Sequence, residues 1–394
     1  MESRKILMVG WEFPPHNSGG LGVACQGIVE NLVDSGENVT LLLPKVMTKY
    51  DVSDTLFTTK KGNKYRVIFI NSLIRPYVGK DGLSYNGDLI SDVNSFAKMA
   101  VDSVKDIDFD IIHIHDWLTV PTGSALKKKF GKPLVMHVHS TEYDRTGGGS
   151  FNEDVSKVET SGFMIANLII TVSKYTKDVL VKEYAVAPNK IMVVHNGVDY
   201  SPSEDSSAID FLKGSPVIIF VGRLTIQKGP EYFLEVARRV IDKRPDAVFV
   251  YAGNGDMYHH LLLTSAYRNL SGSVLFAGFL RDRAKDLLYQ RADVFMMPSV
   301  SEPFGIVALE AAVANTPVIV SKTSGVAEVL PSAIKVDFWD TELMAKKILE
   351  LLEKTKFRKK LAVKTMDEAG AITWGNTAIK IKEAYYNLLS AESV

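Results

Sequence analysis

A single cysteine, Cys25, stands in 394 residues, so no internal disulfide can form and nothing points to an oxidising compartment. No apolar run approaches the length of a bilayer span, and no apolar leader opens the chain, so the expectation is a soluble, cytoplasmic protein. Charge of one sign is not in excess either: 46 basic residues balance 46 acidic ones. That balance excludes the basic footprint of a nucleic-acid binder and leaves an anionic membrane only short patches such as Lys127 to Lys129, which read as a solvated helix end. Two nucleotide signatures are also missing. Lys228 is followed by glycine rather than Ser or Thr, so there is no Walker A loop. Gly19, Gly20 and Gly22 do not make G-x-G-x-x-G, and no ribose-binding acid follows at the expected distance, which disfavours a nicotinamide or flavin cofactor. No cofactor is expected.

What is present is an alternation of strand and helix patterns. KILMVGWEF, NVTLLLP, YRVIFI, DIIHIHD, PLVMHVHS, LIITVS and KIMVVHNG read as strands of a first half, and VIIFVGR, AVFVYAG, SVLFAGF, DVFMMPS and PVIVSK as strands of a second. Such alternation implies parallel sheets covered on both faces, and the length suits two α/β domains. The boundary falls in the polar stretch His195 to Gly214, where periodicity stops. The domains are therefore expected at 1–198 and 199–372. In open parallel sheets ligands bind beyond the carboxyl ends of the strands, so two such sheets facing each other would converge on one cleft.

The segment SVSEPFGIVALE carries the most chemistry. Glu302 closes a strand, Gly305 opens a helix, and Glu310 lies inside that helix. Ionised carboxylates are pure acceptors and sugar hydroxyls are donors, while the first amides of a helix have no intrahelical partner and favour negative charge. The pair therefore suits a polyol diphosphate. VIIFVGRLTIQKG adds Arg223 and Lys228 just past a buried strand, a clamp able to stabilise charge on a departing diphosphate. NSGGLG lets the backbone approach a ligand at the start of another helix, through Gly19 and Gly20.

Histidines alternate on two strands, His113 with His115 and His137 with His139, so each pair shares one face. With Asp116 they raise a metal site, but H-x-H lacks the further spacing of a specific zinc motif, and no metal is expected. Glu142, Asp144 and Arg145 sit in the polar, glycine-rich stretch Ser140 to Asp154, where an acceptor-recognition loop and a plain surface loop are equally consistent. Tyr77 to Asp88 reads as a surface excursion.

NSGGLG, HDW, HVHS, VGRLTIQKG and EPFGIVALE occur in the order and approximate spacing of retaining GT-B glycosyltransferases. The chain resembles the large family four over almost its whole length, and is similar to bacterial and archaeal glycogen synthases. The resemblance implies two Rossmann-like, doubly wound domains facing a central cleft, with a last helix, about 373–394, packing back on the first. It implies a nucleoside-diphosphate sugar donor, ADP- or UDP-glucose first, and a saccharide or other hydroxyl acceptor. Arg223 and Lys228 would neutralise the leaving diphosphate, with amides around Gly19, Gly20 and Gly305. Pro303, Phe304 and Ile306 would line the donor beside Glu310, which would hold the ribose, and Glu302 and His139 would hold the hexose. Asp116 matches an acid near sugar and acceptor, while His137 stands where the family more often has Thr or another small residue. Glycogen synthases carry Lys where this chain has Asn17, which sets the strict glycogen-synthase assignment behind a broader hexosyltransferase. An epimerase on the same fold, or a non-catalytic sugar-nucleotide sensor, would share the clamp. Assay with and without acceptor separates them.

Overall fold

The computed structural model describes residues 3–15, 19–45, 54–72, 89–149, 151–199 and 212–392. The chain divides into two compact units. The first comprises Met1–Tyr143, Ser150–Gly197 and Thr373–Val394, and the second Asp144–Gly149 and Val198–Ile372. Asn17 and Tyr77 to Asp88 lie outside the described residues.

The first unit is built on an eight-stranded sheet. Its strands are β1 (Lys5–Val9), β2 (Asn38–Pro44), β3 (Asp54–Thr58), β4 (Lys64–Ile70), β5 (Ile111–His115), β6 (Leu134–Val138), β7 (Leu168–Thr171) and β8 (Ile191–Val193), in the spatial order β3-β4-β2-β1-β5-β6-β7-β8. Every pairing is parallel except β3 with β4. Strands covered by helices on both faces must be apolar throughout, and β5 and β6 are buried along their whole lengths. The antiparallel β3 sits at the edge with alternating exposure, the mark of a strand with one solvated face. The helix Trp374–Glu392 belongs to this unit although it lies at the far end of the sequence. It docks because Gly27 leaves room for Trp374: a Cβ at Gly27 would lie 2.3 Å from the indole ring. Thr377 Oγ1 donates to His195 O at 2.8 Å, and Lys382 Nζ to Ser35 O at 2.6 Å, which caps the end of the helix Gly20–Asp34.

The second unit carries six parallel strands. They are β9 (Val217–Val221), β10 (Val248–Ala252), β11 (Val274–Gly278), β12 (Val294–Met297), β13 (Val318–Ser321) and β14 (Ile334–Val336), in the order β11-β10-β9-β12-β13-β14. The order reverses between β9 and β12, the switch point at which loops from neighbouring strands diverge and leave room for a ligand. Each unit has its own apolar core, around Leu7, Ile112 and Met136 in the first and Phe220, Phe233 and Phe249 in the second. Among the described residues no helix is long and apolar enough to cross a membrane.

Candidate functional site

In the second unit the switch point collects the acids and cations singled out in the sequence. After β9 the chain passes Gly222 and Arg223 and makes a turn of 3-10 helix, Ile226–Lys228. Gly229 then takes a left-handed conformation (φ 65°) with Pro298 O so close that an added Cβ would lie 2.2 Å from it. That tight approach brings the β9 and β12 loops together. Lys228 Nζ lies 2.6 and 2.8 Å from the two oxygens of Glu302, which also accepts from Ser299 Oγ at 3.1 Å. Glu302 is 4% exposed. Its backbone is clamped as well: its N–H donates to Thr323 O and its carbonyl accepts from Gly325 N, both at 2.9 Å.

Gly305, at φ 104°, turns the chain into the helix Ile306–Val313, and no side chain caps that helix start. Pro303 and Phe304 are buried beneath the turn, and Ile306 is half-buried. Four residues into the helix Glu310, 8% exposed, accepts from Lys285 Nζ at 2.8 Å and from Tyr289 Oη at 2.9 Å. Each buried acid thus has a lysine within hydrogen-bond distance, the arrangement burial of a charge requires. Arg223 is half-buried, and its guanidinium makes no ion pair or hydrogen bond among the described residues. A cation at a switch point without an acid partner is a ready anion site.

Lys285 and Tyr289 were not singled out in the sequence. They lie four apart in the helix Asp282–Arg291 and so share one face, but only tertiary contact shows that this face meets Glu310. Asp144 belongs to the second unit and is fully buried, accepting from Ser301 Oγ at 2.6 Å. Arg145 ends the short helix Glu142–Arg145. Glu142, in the first unit, is 8% exposed and accepts from Asn152 N at 3.1 Å. The stretch read as an open loop therefore contains a helical turn with two buried carboxylates already engaged inside the protein.

In the first unit the sheet brings His113, His115, His137 and His139 into one stack. His115 Nδ1 and His139 Nε2 are 2.9 Å apart, and His113 Nδ1 meets Tyr385 Oη. Burial pushes the His113 pKa down to about 3, helped by the charge of His139, and burial alone takes His139 to about 3. His115 and His137 are also driven well below the ordinary range, first by burial and then by neighbouring histidines. All four are neutral near pH 7. Asp116 has φ 55°, a conformation that a non-glycine residue holds only under constraint. The constraint is visible: Asp116 N donates to His137 O, and Asp116 Oδ1 accepts from His139 N at 2.7 Å and Ser140 N at 3.2 Å. Asp116 thereby fixes the backbone that carries His139.

Gly19 immediately precedes the helix Gly20–Asp34, and a Cβ there would meet nothing within 4 Å among the described residues. Its backbone is extended, so nothing among the described residues requires glycine at this position. The sequence also contains acids at alternate positions, Asp106, Asp108 and Asp110. They precede β5, opposite the end that carries His115, and Asp108 and Asp110 accept from Lys5 Nζ and Lys5 N.

Residues 203–366 match the family described as glycosyl transferases group 1, and residues 18–201 match glycosyltransferase family 4. An uncharacterized glycosyltransferase of Methanocaldococcus jannaschii is 34% identical over 340 residues, spanning 83% of this chain and 82% of its own. A glycogen synthase of Mycobacterium tuberculosis is 28% identical over 332 residues, 82% of this chain and 79% of the relative. Among solved structures, sucrose-phosphate synthase from Thermosynechococcus elongatus superposes with a TM-score of 0.84 at 20% identity, over 98% of this chain and 100% of that one. Two parallel-sheet α/β domains with such a neighbour are a GT-B fold, as the sequence implied.

Proposed function

We propose, from the premise that the chain belongs to the group 1 glycosyltransferases, that it is a retaining hexosyltransferase moving glucose from a nucleoside diphosphate to a hydroxyl acceptor. The observation that carries this reading is the pairing, at one switch point, of two buried acids with two lysines beside a guanidinium that lacks an acid partner. A diphosphate would settle against Arg223 and draw Lys228 from its contact with Glu302, leaving that carboxylate to accept from the hexose hydroxyls. Glu310, held by Lys285 and Tyr289, would accept from the ribose. The uncapped amides around Gly305 suit further diphosphate oxygens. His139 is neutral and can donate to or accept from a sugar hydroxyl, with Asp116 fixing its backbone.

The acceptor oxygen would attack the anomeric carbon from the face the diphosphate leaves, through an oxocarbenium-like state. The new C–O bond forms as the bond to the diphosphate breaks, and a diphosphate oxygen takes the acceptor's proton. Double displacement would need a carboxylate close beneath the anomeric carbon. Glu302 is given to the hexose hydroxyls and Glu310 to the ribose, and neither is assigned that part. The transfer is read as metal-independent, because Arg223 and Lys228 would face the diphosphate and Asp108 and Asp110 are turned to Lys5.

ADP- and UDP-glucose are the first donors to test. A ligand that binds only the folded chain at about 100 times its Kd adds about 2.7 kcal/mol of stability, so thermal unfolding with UDP-, ADP- and GDP-sugars identifies the donor. No rise with any of them would overturn the reading. α-Glucan extension is the second reading, favoured by the glycogen synthase relative. Incorporation into a glucan, compared with small acceptors, distinguishes the two.

A further inference from the structure

We infer that His113, His115 and His137 form a binding site for one divalent transition ion of the zinc class, loaded as the first unit folds. The three rings are fully buried, and one nitrogen of each lies within 4.8 Å of the others. Nε2 of His113, Nε2 of His115 and both nitrogens of His137 have no hydrogen-bond partner. Buried polar atoms are normally satisfied, so unpartnered nitrogens on three adjoining buried rings call for an occupant.

The outer atoms of the cluster are held in the manner of a metal site. A ligating imidazole usually gives its second nitrogen to a neighbouring group, which fixes the tautomer and the ring orientation. His113 does so through Tyr385 Oη and His115 through His139 Nε2, leaving Nε2 of both rings for coordination. Neutral imidazole is the ligating form, and all three rings are held neutral by burial.

Donor chemistry narrows the ion. Three nitrogens and no carboxylate suit zinc, cobalt, nickel or copper, and exclude calcium and magnesium, which require oxygen. Ring centroids stand 4.7 to 5.5 Å apart with planes 17 to 28° from parallel, so the edges lie side by side and must turn inward to share an ion. Zinc–nitrogen bonds of about 2.0–2.1 Å in tetrahedral geometry put the nitrogens about 3.4 Å apart, a closure of at most about 1.4 Å from the observed separation. A water would complete the fourth position. Because the rings have no surface, the ion would support the fold rather than the transfer, and the inference is independent of the donor reading.

The test uses the full chain without an affinity tag, unfolded, stripped with chelator, and refolded in cobalt(II) before desalting. One cobalt per chain, with the visible bands of four-coordinate cobalt, is expected. His137→Thr should abolish it, and Tyr385→Phe, which keeps the ring in place, should weaken binding about 10- to 100-fold by releasing His113. Replacing the exposed His259 and His260 by Ala should change nothing. If His137→Thr does not refold, Tyr385→Phe decides. A wild-type chain without cobalt after desalting, or an unchanged affinity in Tyr385→Phe, overturns the inference.

Discussion

Acid should unfold the first unit far earlier than its balanced charge suggests. His113, His115 and His137 are fully buried, and their folded pKa values lie well below the ordinary 6.5, at about 3 for His113. A histidine with a depressed folded pKa contributes stability that is present above 6.5 and is lost as pH falls toward the folded value, because only the unfolded chain takes up the proton. At pH 5 His113 alone has lost about 1.5 pH units at about 1.4 kcal/mol per unit, or about 2 kcal/mol. His115 and His137 are shifted in the same direction and add to that loss, which is set against the roughly 5–15 kcal/mol by which a domain is stable. Denaturant unfolding with EDTA present, at steps from pH 8 to 5, should therefore show a collapsing midpoint. Tryptophan emission reports this well, since Trp11, Trp117 and Trp374 are buried in the first unit while Trp339 of the second is 60% exposed. His137→Thr should flatten the slope, because one ring that resists protonation in the folded chain is removed. A wild-type midpoint that stays level from pH 7 to 5, or an unaltered slope in the variant, would refute the assignment of neutral, desolvated rings.

Glu310→Ala should weaken nucleoside diphosphate by about 1.5 to 3 kcal/mol in calorimetric titration, while Glu302→Ala should spare that affinity and lower turnover. Equal losses of diphosphate affinity would sink the division between ribose and hexose. Lys228→Ala should cut turnover by about 100- to 1,000-fold, measured as diphosphate release. It should also lower stability by about 1–3 kcal/mol in the ligand-free protein, since Glu302 then keeps only Ser299; near-normal turnover in a folded variant would remove Lys228 from the mechanism. Gly19→Ala should leave the melting temperature unchanged, because its Cβ meets nothing among the described residues, yet weaken the donor. An unchanged KM would show that no ligand approaches there.

The parallel sheets were legible because buried strands carry nearly continuous apolar runs, and every strand marked in the sequence is found. β3 and β14 were not marked. β3 alternates over only five residues at an exposed edge, and β14 is three residues long, too short for a periodic signal. Glu302, Glu310, Arg223 and Lys228 were visible as motif residues, but their pairings were not: Lys228 and Glu302 are 74 residues apart, and Lys285 reaches Glu310 across 25. Alternation along two strands placed each histidine pair on one face, and only the parallel register of β5 with β6, which sets His115 beside His137, turned two pairs into one stack. Tyr385, 272 residues from His113, had no signal at all. The helical turn at Glu142 was hidden by the polar, glycine-rich composition around it, which local propensity reads as loop.

The most direct test of the account is the stereochemistry of transfer. The full chain, in EDTA, is incubated with α-linked UDP-glucose or ADP-glucose and a hydroxyl acceptor, and the product is followed by proton NMR from the first turnovers. The account predicts diphosphate release that depends on the acceptor, and a new bond in the α configuration. A β-linked product, or a converted donor sugar without any acceptor, would contradict it.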